Sequence, residues 1–296
     1  MSGSIQSTQS SMNPLAAFDW GSRTFVMGIL NVTPDSFSGD GVLQYDKAIA
    51  TAVSQAQQFV ADGADIIDIG GESTRPGSVP VTVAEELARV IPVVEAVRQA
   101  VNVPISVDTY RAAIAEAALE AGANWINDVW GLRMDADIVH VVANAGCPVV
   151  LMHNRSKPKD VDQETKLGGR YVGIEYDNLI LDIQRELEES IELALAHGVR
   201  EENIIIDPGI GFGKTVSQNL QLINELTQFL DMGYPILVGP SRKSFIGYTL
   251  DLPPEERVEG TAAAVAIAID RGADIIRVHD VKAMARVARM TDHIVR

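Results

Sequence analysis

The chain has 296 residues, of which 46% are hydrophobic, and a formal net charge of -16. That length and composition suffice for one large α/β domain with a sizeable core. The acidic balance argues against a nucleic-acid partner, which requires clustered Lys and Arg, and no apolar stretch is long enough to span a membrane. The single cysteine, Cys147, excludes an intrachain disulfide and favours a reducing, cytoplasmic location, where we expect a buried bystander thiol.

Residues 1–13 differ in composition from the rest of the chain, because they are rich in Ser and Gln. They lack the charged and apolar segments of a signal peptide, so we expect a disordered tail. No later change of composition marks a domain boundary, and we predict a single domain over residues 14–296.

Eight short apolar runs recur along this domain, and most are rich in β-branched residues. They occupy residues 25–30, 66–69, 105–108, 125–128, 149–152, 204–207, 236–239 and 275–278. Nearly continuous runs of this kind are typical of parallel strands that are buried on both faces. The pattern therefore predicts eight parallel strands.

The segments between these runs have the period of amphipathic helices. Two buried helix faces are predicted, one with Ala48, Thr51, Ala52, Ala56 and Phe59, the other with Leu87, Val90, Ile91, Val94 and Val97. Gly63, Gly122 and Gly272 each stand just before a run, which predicts helix ends in the left-handed conformation. Strands alternating with helices predict a single (β/α)8 TIM barrel. A doubly wound open sheet is disfavoured because no G-x-G-x-x-G follows the first run.

Polar or charged residues follow nearly every run, and in such barrels the reacting groups lie at these strand ends. They are Asn31, Glu72, Asp108, Asn127, Asp128, His153, Asp207, residues 239–243, Arg277, His279 and Asp280. Any one of them alone is equally well explained as a helix N-cap. Their convergence on one face favours a site. Residues 155–176, after the fifth run, are polar and aperiodic, which predicts a long loop on the same face.

Five motifs carry a resemblance to a known family. Residues 27–38 read Met-Gly-Ile-Leu-Asn-Val-Thr-Pro-Asp-Ser-Phe-Ser, and residues 68–77 read Asp-Ile-Gly-Gly-Glu-Ser-Thr-Arg-Pro-Gly. Asp-Pro-Gly-Ile-Gly-Phe-Gly-Lys, Gly-Pro-Ser-Arg-Lys-Ser and Arg-Val-His-Asp-Val begin at residues 207, 239 and 277. In this order they resemble the motifs of the dihydropteroate synthase family. The resemblance implies a transferase that joins a dihydropterin diphosphate to 4-aminobenzoate.

The resemblance assigns the pterin to Asp108, Asn127, Asp207 and Lys243. A buried carboxylate at Asp207 can accept both N–H groups of the amino-pyrimidinone edge, and such charge-assisted bonds are strong. Asn127 supplies both a donor and an acceptor. Lys243 is expected to donate to the ring and to hold the loop after the sixth strand. The alternative for Asp207 is an ion pair with Lys214 or Lys243.

The resemblance assigns the diphosphate leaving group to Asn31, Arg277 and His279. Arg277 and His279 lie two apart on the last strand, so their side chains are expected to point the same way, and an Arg fork suits phosphate. Asn31 is the implied ligand of the cofactor Mg²⁺, which usually retains several water ligands and is also coordinated by phosphate oxygens of the substrate. No His/Cys cluster indicates zinc.

The acceptor pocket and two loops complete the implied site. The resemblance assigns catalytic roles to Asp35, Arg75, Lys243, Arg277 and His279. Asp35 is expected to stabilise the pterin cation or to compensate for the charge of the departed diphosphate. The residues implied for 4-aminobenzoate are Phe37, Ser73, Thr74, Pro76, Phe212 and Ser244. Taken singly, Phe212 is equally well a core residue and Pro76 a turn residue. We expect the segments 35–38 and 73–77 to close over the second substrate.

Two alternatives stay open at this point. A pterin-binding methyltransferase that transfers a methyl group to a corrinoid would share the barrel. Its substrate has no diphosphate, however, so it would not need the diphosphate-binding residues 239–244, Arg277 and His279. A folate-binding scaffold without activity is disfavoured by Asn31 and Arg75. Residues 152–156 read Met-His-Asn-Arg-Ser, where bacterial members often have a Gly-containing turn. The resemblance also implies a homodimer through the last helices.

Overall fold

Eight parallel strands close into a ring in the computed structural model, which describes Leu15 and residues 18–32, 42–72, 81–156, 162–164, 170–172 and 175–296. The strands of the ring are β1 (Phe25–Asn31), β2 (Ile66–Gly70), β3 (Ile105–Asp108), β4 (Trp125–Asp128), β5 (Val149–Met152), β8 (Ile204–Asp207), β9 (Leu237–Val238) and β10 (Ile275–Val278). Their order is β8-β5-β4-β3-β2-β1-β10-β9, and a parallel bridge between Ile206 and Ile236 closes the ring. All eight runs form strands, so the predicted (β/α)8 barrel is confirmed.

Helices connect the strands and cover the outside of the barrel. They are α1 (Val42–Ala61), α2 (Val83–Ala100), α3 (Ala112–Glu120), α4 (Ile138–Ala145), α5 (Leu179–Ala196), α6 (Val216–Asn224), α7 (Ser244–Leu250), α8 (Val258–Asp270) and α9 (Val281–Val295). Gly63, Gly122 and Gly272 have φ values of 104°, 106° and 98°, which confirms the predicted left-handed helix ends.

The predicted helix faces are confirmed in part. On α1, Ala52, Ala56 and Phe59 are buried as predicted. Thr51 is exposed, and its hydroxyl donates to the backbone carbonyl of Lys47, so its assignment to the buried face is wrong. A threonine can satisfy its hydroxyl within its own helix, and it therefore gains little from facing the apolar barrel.

Strand residues alternate between two apolar cores. Outward-facing residues such as Val26 and Ile67 pack against the helices. Inward-facing residues fill the lower barrel, and they are Phe25, Met27, Ile66, Trp125, Val150, Ile205, Leu237 and Ile275. Phe18 covers the bottom of this inner core, with ring centroids 4.8 Å from Phe25 and 5.2 Å from Trp125. The interior at the N-terminal end of the barrel is therefore filled by apolar side chains.

The segment after β5 is not a plain loop. It contains an antiparallel hairpin of β6 (Asp162–Glu164) and β7 (Arg170–Val172), so the prediction of an aperiodic loop over residues 155–176 is wrong in this respect. These strands are three residues each, too short for alternation to be visible in the sequence. No helix within the described part of the chain combines the length and apolar character needed to cross a membrane.

Candidate active site

The interior of the barrel changes from apolar to polar towards the C-terminal ends of its strands. Above the inner core, the inward positions of β2, β4, β8 and β10 are occupied by Asp68, Asn127, Asp207 and Arg277, the first three of them buried. Buried charges are tolerated only where they are paired or hydrogen-bonded. We call these four side chains, together with Asp108 and Lys243, the polar cup.

Asp68 is the hub of the polar cup. Its Oδ2 accepts hydrogen bonds from Arg277 Nε at 2.6 Å and from Asn127 Nδ2 at 3.2 Å. Arg277 Nη2 donates to Asp108 Oδ2 at 2.6 Å, so one guanidinium joins two carboxylates from neighbouring strands. Asp68 has no exposed surface, and among the described residues its Oδ1 has no hydrogen-bond partner. Asn127, predicted to bind the pterin, and Arg277, predicted to bind the diphosphate, thus both donate to Asp68.

The resemblance assigns no role to Asp68, although one signal in the sequence marks it. It stands between the inward-facing Ile66 and Gly70 of a strand that is otherwise apolar. A charge at an inward position of a buried strand is costly, and it therefore indicates a partner or a ligand.

Burial sets the protonation of the Asp108 and Arg277 pair. Burial raises the pKa of Asp108 to about 7, although the positive charge of Arg277 opposes the shift. For Arg277, burial acts to lower the pKa, but attraction to Asp68 and Asp108 outweighs it and the pKa is raised. Arg277 therefore remains a cation, while Asp108 can gain a proton near neutral pH and then donate a hydrogen bond.

Asp207 presents one free carboxylate oxygen to the cup. Its Oδ1 accepts the backbone N–H of Gly209 at 2.7 Å, and among the described residues Oδ2 accepts no hydrogen bond. Burial raises the pKa of Asp207, and the charge of Lys243 opposes that shift. In the described part of the chain Asp207 forms no ion pair with Lys214 or Lys243, so the alternative explanation of Asp207 is not supported.

Lys243 holds the loop after β8, as predicted. Its Nζ donates to the backbone carbonyl of Ile210 and lies 4.4 Å from the centre of the Phe212 ring. Burial lowers the pKa of Lys243 to about 8, although attraction to Asp207 opposes this shift. Lys243 thus stands between the carboxylate of Asp207 and the aromatic ring of Phe212.

The ends of β9 and β10 are tied together next to the cup. Ser241 Oγ lies 3.1 Å from the backbone N–H of His279, which donates to it, and 3.0 Å from His279 Nδ1. Arg242 forms a two-pronged ion pair with Asp280, and its Nε lies 2.8 Å from Oδ2. Neither Ser241 nor Asp280 was given a role in the sequence-based assignment. Together they tie the segment after β9 to His279 and Asp280 after β10.

Asp128 has a structural role. Its two carboxylate oxygens accept the backbone N–H groups of Trp130 and Leu132, each at 2.8 Å, and burial raises its pKa to about 7. It therefore caps the turn after β4. Cys147 is buried, and burial raises the pKa of its thiol to about 12, as expected of a bystander.

The remaining predicted site residues fall into two groups. Asn31 is exposed at the end of β1, Ser244 is the first residue of α7, and Phe212 is half-buried against the apolar cluster of Val129, Trp130 and Met152. Six lie outside the described residues, and they are Asp35, Phe37, Ser73, Thr74, Arg75 and Pro76.

The donors that are present suit a weakly held Mg²⁺. Within the described ranges, no three His, Cys, Asp or Glu side chains are grouped as a metal site. Asn31 offers a single neutral oxygen to solvent at the mouth of the barrel. Mg²⁺ commonly takes one or two protein oxygens and completes its shell with water and phosphate.

Comparison with known proteins agrees with this geometry. The model of the family described as pterin binding enzyme matches residues 27–279. A dihydropteroate synthase of Clostridium beijerinckii is 49% identical over 280 residues, which are 94% of this chain and 97% of that protein. A crystal structure of a dihydropteroate synthase from Clostridium difficile, obtained in the presence of pteroic acid, has a TM-score of 0.85 at 46% identity and covers 94% of this chain and 99% of that one. The Xanthomonas albilineans dihydropteroate synthase in complex with 7,8-dihydropteroate has a TM-score of 0.79 at 38% identity, with 92% and 94% covered.

Proposed function

The chain belongs to the pterin-binding enzyme family, and from this membership we infer that it acts as a dihydropteroate synthase. It transfers the (7,8-dihydropterin-6-yl)methyl group from its diphosphate to 4-aminobenzoate, and it releases 7,8-dihydropteroate and diphosphate. The observation that carries this conclusion is the 49% identity to a dihydropteroate synthase along nearly the whole of both chains.

The proposed pterin site is the inner part of the polar cup. The free Oδ2 of Asp207 faces away from its bond to Gly209, so it can accept a donor of the amino-pyrimidinone edge. Asn127 and Asp108 lie on the neighbouring strands β4 and β3 and would pair with the rest of the ring edge. Lys243 would donate to the ring oxygen from above Asp207.

The proposed diphosphate site lies towards the end of β10. Arg277 is a permanent cation, and among the described residues its Nη1 makes no hydrogen bond, which leaves a donor for a phosphate oxygen. His279 follows two residues later, and its Nδ1 lies 3.0 Å from Ser241 Oγ. Asn31 would hold Mg²⁺ together with phosphate oxygens, and the ion would supply charge neutralisation to the leaving group.

In the proposed reaction, the C–O bond between the pterin methylene and the diphosphate breaks, and the electron pair leaves with the diphosphate. The methylene cation is delocalised into the dihydropterin ring. The amine of 4-aminobenzoate then donates its lone pair to form the C–N bond and loses a proton. Arg277 and His279 stabilise the departing negative charge, which is the largest change of charge in the reaction. Neither step requires a protein nucleophile.

We also propose a cytoplasmic homodimer. Leu220, Leu250 and Ile267 are 45%, 47% and 44% exposed and lie together on the surface of α6, α7 and α8. An apolar surface of this kind favours association through the last helices. Sedimentation should then give twice the chain mass of 31.9 kDa. The cytoplasm is proposed because a chain with a single cysteine forms no intrachain disulfide.

The activity is tested by incubating the purified chain with dihydropterin diphosphate, 4-aminobenzoate and Mg²⁺. Diphosphate and 7,8-dihydropteroate should form in equal amounts, and omission of 4-aminobenzoate should abolish the pteroate. Chelation by EDTA should stop turnover and leave the melting curve unchanged. Methyl transfer from a methylated folate to a corrinoid, without pteroate formation, would support the methyltransferase alternative instead.

A further inference from the structure

We propose that Lys214 is a positioning residue for the acceptor side of the site: as a buried ammonium held by neutral His153, it fixes the loop over residues 208–213 that carries Phe212. The kinetic consequences rest on the proposed synthase activity. Lys214 is the last residue of the third motif, and in the described part of the chain it forms no ion pair with Asp207.

Lys214 is buried and fully hydrogen-bonded. The residue is only 2% exposed. The Nζ atom lies 2.9 Å from the carbonyl oxygen of Gly209, 3.0 Å from that of Phe212 and 3.0 Å from His153 Nδ1. An ammonium group has three N–H donors, and these three neighbours satisfy all of them if His153 Nδ1 is an acceptor.

Glu186 fixes the protonation of His153. Although burial favours the protonated acid, hydrogen bonds from His153 and Arg155 lower the pKa of Glu186 to about 2, so it is a carboxylate. A carboxylate only accepts, and His153 Nε2 lies 3.1 Å from Glu186 Oε2, so Nε2 carries the proton. Burial lowers the pKa of His153 to about 3, so the ring is neutral and Nδ1 keeps its lone pair.

With the proton of His153 on Nε2, the three contacts of Lys214 Nζ are those of a charged lysine. Burial lowers the pKa of Lys214 well below its usual value, and attraction to Asp207 opposes that shift. A neutral amine would have two N–H donors for the carbonyls of Gly209 and Phe212, and its lone pair would then face that of His153 Nδ1. The ammonium avoids this clash, and the backbone carbonyls stabilise its charge.

The loop needs such an anchor because of its glycines. Gly209, Gly211 and Gly213 have φ values of 75°, 83° and 61°, and glycine has the largest conformational freedom to lose. Lys214 binds the carbonyls of Gly209 and Phe212 at the two ends of this turn. Two further anchors are Tyr176, whose hydroxyl donates to the carbonyl of Gly213 at 2.9 Å, and Lys243, which donates to the carbonyl of Ile210.

The backbone of Asp207 has anchors of its own. It pairs with Met152 in the β5–β8 ladder, and its carbonyl accepts the backbone N–H of His153 at 2.9 Å. Loss of Lys214 should therefore displace Phe212 and the acceptor pocket more than it displaces the strand end that carries the pterin-facing carboxylate. This difference separates a positioning role from general stabilisation of the fold.

The kinetic test uses Lys214→Met, which keeps the length of the side chain and removes its donors. We expect the KM for 4-aminobenzoate to rise about tenfold or more, as for loss of a hydrogen bond to a charged donor, while the Kd of the pterin changes less than about threefold. Lys282→Met is the control, because Lys282 is 63% exposed on α9 and pairs with Asp62 rather than with the loop, and its parameters should stay at wild-type values. An unchanged KM, or equal changes in KM and pterin Kd, would overturn the proposal.

Substitutions of His153 give a rescue test. Asn places its carbonyl oxygen near the position of Nδ1 and keeps an acceptor for Lys214, whereas Leu removes it. His153→Asn should therefore retain most of the affinity for 4-aminobenzoate, and His153→Leu should resemble Lys214→Met. The reverse order would contradict the assigned hydrogen bonds.

A measurement on the wild-type chain distinguishes failure of this proposal from failure of the proposed activity. The ¹⁵N shifts of the imidazole should show neutral His153 with its proton on Nε2 at pH 7. Amide exchange at residues 209–213 should accelerate in Lys214→Met. A proton on Nδ1, a charged ring, or unchanged exchange would refute the anchor whether or not the enzyme makes pteroate; absence of pteroate alone would refute only the activity.

Discussion

Asp207→Asn separates pterin recognition from folding. Asp207 is 4% exposed, and its Oδ1 accepts the backbone N–H of Gly209 at 2.7 Å. To keep this bond, the asparagine must place its oxygen at the position of Oδ1. Its NH₂ group then takes the position of Oδ2 and faces the pterin. A donor replaces the acceptor at the point where the ligand also presents a donor.

The magnitude follows from the bond that is lost. Loss of a buried hydrogen bond to a charged group costs about 1.5–3 kcal/mol, and the facing donors add the desolvation of an unpaired N–H of about 1–3 kcal/mol. The pterin Kd should therefore rise by about two to four orders of magnitude. Burial raises the pKa of Asp207, so the ionised carboxylate weakens the ligand-free fold above that pKa, and its removal should leave the melting temperature unchanged or higher at pH 8.

The assay combines calorimetric titration with pterin and melting curves with and without ligand. Asp128→Asn is the matched control, because Asp128 is equally buried but uses both oxygens on the backbone N–H groups of Trp130 and Leu132. It should leave the pterin Kd nearly unchanged, because backbone N–H groups engage both of its oxygens. If Asp207→Asn melted much earlier and still bound pterin normally, Asp207 would be a structural cap and the reasoning would fail.

Three further results are expected. Arg277→Ala should weaken diphosphate binding by about 2–5 kcal/mol, as for removal of one partner of a desolvated charge pair, and equal weakening of pterin and diphosphate in titrations would indicate a purely structural role. The substitution also removes the cation that opposes the raised pKa of Asp108, so that pKa should rise further and the melting temperature should recover as the pH falls through the higher value. Calorimetry should detect strong 4-aminobenzoate binding only with diphosphate and Mg²⁺ present, and equal binding to the empty protein would exclude loop closure. The pKa of His153 is about 3 in the folded protein, below its unfolded value of about 6.5, so the free energy of unfolding falls as the pH drops below about 6.5. In urea titrations at pH 4.5–6, His153→Asn should reduce the dependence of the unfolding free energy on pH by up to about 1.4 kcal/mol per pH unit. An unchanged dependence would show that the native histidine is charged.

The barrel was predictable because each strand is long enough to show its pattern. The continuous apolar runs mark strands buried on both faces. Glycines such as Gly63 mark the ends of the helices that precede these strands. The β6–β7 hairpin was missed because its strands are short and polar. Thr51 was misplaced because helical period alone does not say whether a hydroxyl is satisfied within its own helix.

The composition of the site was predictable, but its internal connections were not. Asp108, Asn127, Asp207, Lys243 and Arg277 do meet at one end of the barrel. That Arg277 binds two carboxylates depends on the approach of residues 209 and 169 positions apart in the chain.

The bond between Lys214 and His153 likewise spans 61 positions. Residue types show that such groups need partners, and only the packed structure shows which partners they find.

A crystal structure of this chain with 7,8-dihydropteroate tests the central claim most directly. The account predicts that the amino-pyrimidinone edge of the pterin lies within about 2.7–3.2 Å of Asp207 Oδ2 and is flanked by Asn127 and Lys243. The aminobenzoate end should lie beside Phe212. A pterin bound outside the polar cup, with Asp207 still bonded to Gly209 alone, would contradict the account.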